Sequence, residues 1–383
     1  MWVFLGKRLI QMIITLLLFQ AATFFLLEAQ PVDIADLLTL NPQIPPSERD
    51  KLRTDLGLDK PPVQRFFTYL GNFYTGDWGV SFSQYPRSVT DIISERLPRT
   101  LVLFITSTIT ALWAGYFTGR ILAWRRGGVL EYSQTLVGVG LYTVFTPWFA
   151  LMMIWLFAVT LDWLPAGKFL DPLKWIQAPV DANTVFIWMI WSAAIAVLVV
   201  VFGFWLATKV GRYSRRWVRW GSFVVALVGI VLFWTLNGYG RYAADILKHL
   251  VLPVLTLTLI AYGGYMLLMR TSMLETLRED YILSARAKGL PEKEVRDKHA
   301  ARNAMLPLWT SLVFAIGAAV SGGVITETIF SWPGIGLTLL NASTVNDIPL
   351  AMGAFTIIGV MTLLAHLAAD LGYAFLDPRI RVH

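Results

Sequence analysis

Ionisable side chains at helical spacing within apolar sequence could carry protons or ions across a membrane. His366 precedes Asp370 by four residues, so the two side chains share one face of a helix. Such a pair could form a proton relay or simply a local hydrogen bond. We favour the hydrogen bond, because the apolar segments carry no series of carboxylates and Glu28 and Glu327 lie near segment ends.

The other reactive residue types form no recognisable catalytic or metal-binding pattern. The chain has no cysteine, and its four histidines are too dispersed for a metal site: His249, His299, His366 and His383. The motifs HExxH, GxSxG and GxxxxGK[ST] are absent from the sequence. We therefore predict that the chain is not an enzyme and holds no metal, cofactor or ATP of its own.

One polar segment has the pattern of two short helices joined by a glycine. Asp280 can cap the first helix, which is expected to end at Ala287 or Lys288. Gly289 suits the left-handed backbone conformation that ends a helix. Pro291 suits the first turn of a second helix.

The turn between these two helices has small and basic side chains. Ala285 and Ala287 keep the turn slim, while Arg286 and Lys288 supply positive charge. A slim, rigid helix pair of this kind could dock into a groove of another protein. The alternative is an amphipathic loop that lies on lipid headgroups.

The elements that must hold this loop are strongly apolar. Hydrophobic residues make up 56% of the 383 residues and charged residues only 15%, against about 25% charged residues in soluble domains. A helix of about 20 apolar residues spans a bilayer. We predict an all-α polytopic membrane protein with eight spans, at about 9–28, 100–122, 134–159, 184–207, 219–236, 251–270, 308–329 and 351–374.

Basic residues indicate how these spans are oriented, because cytosolic loops are enriched in Lys and Arg. With a cytosolic N-terminus, most of the 32 lysines and arginines fall in predicted cytosolic segments. The short outer loops then hold only Lys168, Lys174, Arg241 and Lys248. We therefore place both termini in the cytosol.

The spans divide the chain into five predicted segments. They are an N-terminal anchor (1–30), an extracytoplasmic lobe (31–99), core helices (100–183), a hairpin of two spans (184–236) and further core helices (237–383) with the cytosolic loop 271–307. Two spans leave the orientation of the others unchanged, so we interpret the hairpin as an insertion that faces lipid. The alternative is a site for a partner, with the basic loop 209–219 against anionic lipid headgroups.

Small residues in two of the spans predict close helix packing. Gly115 and Gly119 form a GxxxG pair in the second span, and the seventh span contains Gly317, Gly322 and Gly323. We favour packing within this chain. The alternative is a seam with a partner or a moving gate.

The residues of the polar loop resemble the EAA-type coupling motif of bacterial ABC importer membrane subunits. The run ARAKGL from Ala285 to Leu290, with His299-Ala300 and Arg302-Asn303-Ala304 after it, is similar to the dipeptide, oligopeptide and nickel permease branch. Further stretches resemble that family along nearly the whole chain: GDWGVSF from Gly76, ERLPRTL from Glu95, ETIFSWPGIG from Glu327 and LDPRIR from Leu376.

The resemblance implies an inner-membrane subunit that forms half of a translocation path for peptides, nickel or oligosaccharides, beside a homologous second permease subunit. Two ATP-binding subunits, which carry ATP and Mg²⁺, would dock on the loop, and an extracytoplasmic solute-binding protein would deliver the substrate. The coupling residues would be Asp280, Ala285, Arg286, Ala287, Lys288, Gly289 and Leu290.

The chain departs from the family pattern in two places. The family usually has about six spans, so the segment 184–236 is extra, and Pro291 stands where Ser or Thr is common. Two other functions are alternatives to this one. One is a self-contained secondary transporter or channel that depends on His366 or Asp370, and the other is an export permease with the same coupling chemistry.

Overall fold

The computed structural model of the protein describes residues 2–29, 60–211, 213–320 and 323–376, and the secondary structure of these ranges is helical. The predicted all-α class is confirmed. The helices are α1 (Trp2–Glu28), α2 (Pro62–Thr75), α3 (Val89–Trp124), α4 (Val129–Thr143), α5 (Thr146–Ile154), α6 (Pro172–Trp175), α7 (Ala182–Lys209), α8 (Ser214–Leu236), α9 (Gly240–Thr276), α10 (Asp280–Ala287), α11 (Glu292–Glu294), α12 (Ala301–Ala304), α13 (Leu306–Val320), α14 (Val324–Ile329), α15 (Ile335–Thr344) and α16 (Ile348–Leu376). Two π-helical turns continue α5 (Trp155–Thr160) and join α11 to α12 (Val295–Ala300).

Six of the described helices are long and apolar enough to cross a membrane: α1, α3, α7, α8, α9 and α16. A seventh span results if α4 and α5, which meet at a bend of 106°, count as one. The predicted span at 134–159 is therefore two helices rather than one straight helix. Pro147 explains the bend, because its ring would clash with the carbonyl of Thr143 in a continuous helix.

The predicted span at 308–329 also differs from the structure. Helix α13 ends at Val320, and a separate short helix, α14, begins at Val324. The backbone of Gly323 is not helical (φ −80°, ψ 79°). The sequence Ser-Gly-Gly before α14 disfavours a helix, because glycine loses more conformational freedom than other residues when it is fixed in one.

The chain divides into two compact units, Met1–Trp155 with Pro253–His383, and Leu156–Leu252. The second unit contains the predicted hairpin and extends beyond it at both ends. Within it α7 packs against α8 so closely that a Cβ at Gly203 would overlap Ser222. That the hairpin 184–236 is an insertion stays a prediction.

The first unit has an apolar core where α2 and the start of α3 pack on α1, α15 and α16. Val89, Ile92 and Ile335 are completely buried in this core. The buried carboxylate of Asp347 accepts hydrogen bonds from the hydroxyls of Ser81 and Ser83, at 2.5 and 2.6 Å. The described part of the predicted lobe, residues 60–99, thus packs on the spanning helices, while residues 31–59 lie outside the described residues.

Candidate functional site

The predicted helix–glycine–helix loop is present in the structure. Helix α10 ends at Ala287, and Gly289 has the expected left-handed conformation, with φ +73°. The Gly289 N–H donates to the carbonyl of Arg286 (2.9 Å) and the Leu290 N–H to the carbonyl of Ala285 (3.4 Å). These two bonds are those of a Schellman motif, which satisfies the last carbonyls of the helix and makes the turn rigid.

The N-terminal ends of α10 and α11 each differ by one position from those expected from the sequence. Asp280 does not cap α10: the N-cap is Glu279, whose side chain makes no capping bond, and Asp280 is the first helical residue. Its carboxylate is favourable there because of the helix dipole. Pro291 likewise precedes its helix as the N-cap of α11, and its carbonyl accepts from the N–H groups of Glu294 and Val295.

One face of the loop is buried against the spanning helices. Ile282 and Ala285 of α10 pack, together with Val295 and the alanines of α12, on residues of α3, α9 and α13, among them Met269 and Met273. Ala285 is only 6% exposed. It therefore anchors the turn, and it does not present a contact surface.

The opposite face of α10 is exposed. It includes Leu283 and Ala287, which are four residues apart on the helix, and it continues into Lys288 and Gly289. The side chain of Leu283 is 58% exposed. Sequence reasoning missed Leu283 as a surface residue, although its spacing of four residues from Ala287 was available as a signal.

Charged and aromatic groups fix the loop to the helix ends. The guanidinium of Arg286 lies 5.7 Å from the centre of the Trp124 ring and 3.5 Å from a carboxylate oxygen of Glu292. Asp297, in the π-helical turn, accepts a hydrogen bond from Nε of Arg296 at 2.6 Å. This hydrogen bond is the main reason that the pKa of Asp297 lies below its usual value.

A buried ion pair that the sequence analysis missed joins Glu131 and Arg270, of which only Arg270 is close to the loop in sequence. Glu131, in the first turn of α4, is 4% exposed and accepts a hydrogen bond from Nε of Arg270 in α9 at 2.9 Å. The same carboxylate accepts from the N–H of Gly127. It therefore ties α4 to α9 and also accepts from the backbone N–H of the residue just before the N-cap of its own helix.

The predicted small residues of the second span lie at a close helix contact. A Cβ at Gly115 would lie 2.6 Å from Cβ of Tyr265, and one at Gly119 would lie 2.5 Å from the carbonyl oxygen of Met266. Helices α3 and α9 thus meet backbone to backbone. Sequence reasoning missed a second contact of this kind, where Gly263 of α9 lies against the carbonyl of Gly138 in α4.

Of the three glycines predicted to pack closely in the seventh span, the structure gives a close contact for Gly323 alone among the described residues. A Cβ at Gly323 would lie 2.6 Å from Cζ of Phe104. Gly317 belongs to α13, and Gly322 lies outside the described residues.

Glu327 is buried, and its carboxylate is held by hydrogen bonds within the protein. Its buried carboxylate accepts hydrogen bonds from the hydroxyl of Thr100 (2.7 Å) and the N–H of Leu337 (2.9 Å). Side chains at Gly334 and Gly336 would meet this carboxylate at short distances. Glu327 therefore fastens the turn between α14 and α15 to α3.

The alternative site around His366 receives no support from the described residues. His366 is exposed, and its Nδ1 lies 2.7 Å from the carbonyl of Thr362 one turn earlier. The side chain of Asp370 lies outside the described residues.

Long apolar helices, with a rigid helix–glycine–helix loop packed on the ends of several of them, define a polytopic membrane protein. The chain belongs to the family described as binding-protein-dependent transport system inner membrane components. The family model matches residues 199–382, and the model of the family's N-terminal part matches residues 1–104. The sequence resemblance to ABC importer permeases is confirmed, and the chain is a multi-pass protein of the inner membrane.

Similar proteins carry names of peptide transport systems. A Brucella suis protein named as a peptide permease is 33% identical over 94% of this chain and 92% of its own length. The dipeptide transport system permease protein DppB of Escherichia coli K12 is 30% identical over 99% of this chain and 98% of its own. The di/tripeptide transport system permease protein DppB of Pseudomonas aeruginosa is 29% identical over the same shares.

Proposed function

We propose that this chain is the permease subunit of an ATP-driven importer of peptides and forms half of the translocation path beside a homologous second permease subunit. The names of the similar proteins favour peptides over nickel or oligosaccharides. An extracytoplasmic solute-binding protein delivers the substrate in this proposal.

In this proposal two partner subunits bind ATP and Mg²⁺ and supply the energy, because this chain has no phosphate-binding loop. These subunits dock on the exposed face of α10 and on the turn at Gly289. One observation carries this assignment: α10 has one face packed on the spanning helices and the opposite face free for a partner.

The two faces of α10 give the proposed coupling a physical route. Ile282 and Ala285 contact the same apolar cluster as Met269 and Met273 of α9, and Ala123 of α3 belongs to it as well. A displacement of α10 by a partner therefore moves the ends of two spanning helices, because close-packed interiors deform little and transmit strain. A packed assembly with two arrangements can convert such a shift into alternating access.

Uptake of a labelled peptide by cells that carry Gly289→Asp tests the coupling role. The new carboxylate fills and charges the turn, and we expect uptake to be lost at unchanged abundance in the membrane. Gly238→Asp is a matched control, because Gly238 has nearly the same backbone (φ +70° against +73°), equally open surroundings and a place on the predicted outer side. Normal uptake in Gly289→Asp, or an equal loss in both variants, would contradict the proposal.

The partners are tested by purification of the tagged chain in mild detergent, with mass spectrometry of the proteins that accompany it. We expect a second permease and ATPases with phosphate-binding loops. A co-purifying extracytoplasmic binding protein would favour import over export. Recovery of this chain alone, even after crosslinking, would favour the self-contained transporter.

A further inference from the structure

The turn between α7 and α8 concentrates positive charge without internal compensation. Residues 182–244 contain no Asp or Glu. The turn, defined here as residues 209–219 so that it includes the end of α7 and the start of α8, contains five basic residues: Lys209, Arg212, Arg215, Arg216 and Arg219. The structure describes all of these residues except Arg212. Within the described part of the chain, no carboxylate forms an ion pair with Lys209, Arg215, Arg216 or Arg219. The counterions must therefore come from outside the hairpin.

The contacts of these basic side chains hold them at the end of the hairpin. Nε of Arg215 donates to the carbonyl of Ala207 at 3.0 Å. The guanidinium of Arg219 lies 5.1 Å from the centre of the Phe204 ring, and the ammonium group of Lys209 lies 5.7 Å from that of Trp205. Backbone and ring contacts of this kind orient the cations and leave their charge unneutralised.

Exposed aromatic side chains line the face of α8 that is turned away from α7, next to the basic residues in sequence. Tyr213, Trp217 and Trp220 are 96%, 79% and 61% exposed, and their spacing of three and four residues places them on one side of the helix. Arg216 lies beside them and is also exposed. Ser222, which contacts Gly203, marks the opposite side.

We propose that the turn between α7 and α8 is a binding site for the phosphate groups of anionic phospholipids in the inner leaflet. Arg215, Arg216 and Lys209 supply the charge, and Tyr213, Trp217 and Trp220 lie among the headgroups. Trp and Tyr favour the membrane–water interface at the level of the headgroups, because one end of the side chain is apolar and the other is polar. The inference does not depend on which substrate the chain transports.

The full chain, purified with any partners that accompany it, is reconstituted in nanodiscs of equal parts phosphatidylglycerol and phosphatidylcholine. After transfer to detergent, mass spectrometry measures the phosphatidylglycerol retained per chain. For each basic residue removed we expect about fivefold weaker binding, as for basic segments near anionic membranes. The variant Arg215→Gln/Arg216→Gln should therefore retain more than tenfold less phosphatidylglycerol.

Arg125→Gln/Arg126→Gln is the matched control, because it removes two exposed charges from another predicted cytosolic turn. It should reduce retention far less than the Arg215/Arg216 variant does, because the nearby carboxylate of Glu131 interacts with Arg126 and offsets charge at that turn. A second variant, Trp217→Ala/Trp220→Ala, keeps every charge and should still lose several-fold, which guards against a general defect of the arginine variant. Equal retention in the arginine variant and its control would overturn the proposal.

Soluble glycerol phosphate, added at the same phosphate concentration as the lipid, separates a lipid surface from free phosphate. We expect it to displace little of the retained phosphatidylglycerol. Complete displacement would show a site for phosphate alone and would also overturn the proposal.

Discussion

Arg120 and Asp297 connect a membrane-spanning helix directly to the helix–glycine–helix loop, with 3.5 Å between Nη1 of the arginine and Oδ1 of the aspartate. Arg120 lies near the end of α3, where its guanidinium is 5.0 Å from the centre of the Phe117 ring. Both side chains are largely shielded, at 14% and 26% exposure. The pair therefore gives the loop a charged link to α3 in addition to its apolar contacts.

Asp297→Asn removes the charge of this link with little change in shape. We expect a loss of stability of about 1 kcal/mol, as for a partly exposed ion pair, and a several-fold fall in peptide uptake. The measurements are thermal unfolding in detergent and uptake in cells at matched abundance. Glu294→Gln is the control, because it neutralises a carboxylate on the same segment that pairs with the exposed Lys298. If both variants behave alike, the link to α3 has no special role.

The pH dependence of stability provides a separate prediction for Asp297. The hydrogen bond from Arg296, followed by the charge of Arg120, holds the pKa of Asp297 below its ordinary value of 3.8. A lowered folded-state pKa contributes stability above the unfolded-state pKa, and this contribution is lost as the pH falls through the folded-state pKa. The difference in melting temperature between the wild type and Asp297→Asn should be constant near neutral pH and shrink below about pH 4. A difference that widens on acidification would contradict this assignment.

Close packing of α3 on α9 is tested by Gly119→Ala. The new Cβ would meet the backbone carbonyl of Met266, which cannot move without a shift of the helix. We expect a loss of about 1–3 kcal/mol, as for other overpacked sites. Gly140→Ala in α4 is the matched control, because nothing lies within 4 Å of its new Cβ. It should be neutral or slightly stabilising, since alanine favours helix over glycine.

The helix–glycine–helix loop could be predicted from the sequence because its signals are local. Gly289 ends one helix and Pro291 precedes the next, each through its own backbone restrictions. The bend between α4 and α5 had a local signal too, in Pro147, but the apolar run around it outweighed that signal. Hydropathy alone does not distinguish one span from two short helices.

The ion pairs could not be predicted in the same way. Glu131 and Arg270 are 139 positions apart, and the local sequence around either residue does not indicate that the other is its partner. Their pairing depends on how α4 packs on α9, which in turn depends on the contact between Gly138 and Gly263. Such contacts exist only once the helices have packed together. The spacing of residues within one helix therefore cannot predict them.

The exposed face of α10 can be tested directly because the chain has no cysteine of its own. In Lys288→Cys the single thiol lies on the exposed turn, so a maleimide should label it rapidly in the isolated chain. Docking of an ATPase subunit on this turn would bury the thiol, and we expect labelling to slow at least tenfold when the partner is added. Ser94→Cys, exposed on the predicted outer lobe, is the control and should be labelled equally fast in both conditions. Because burial of a thiol blocks the reagent whatever the substrate, this measurement separates the docking surface from the choice of cargo. Unchanged labelling of Lys288→Cys in the assembled complex would exclude this turn as the docking surface.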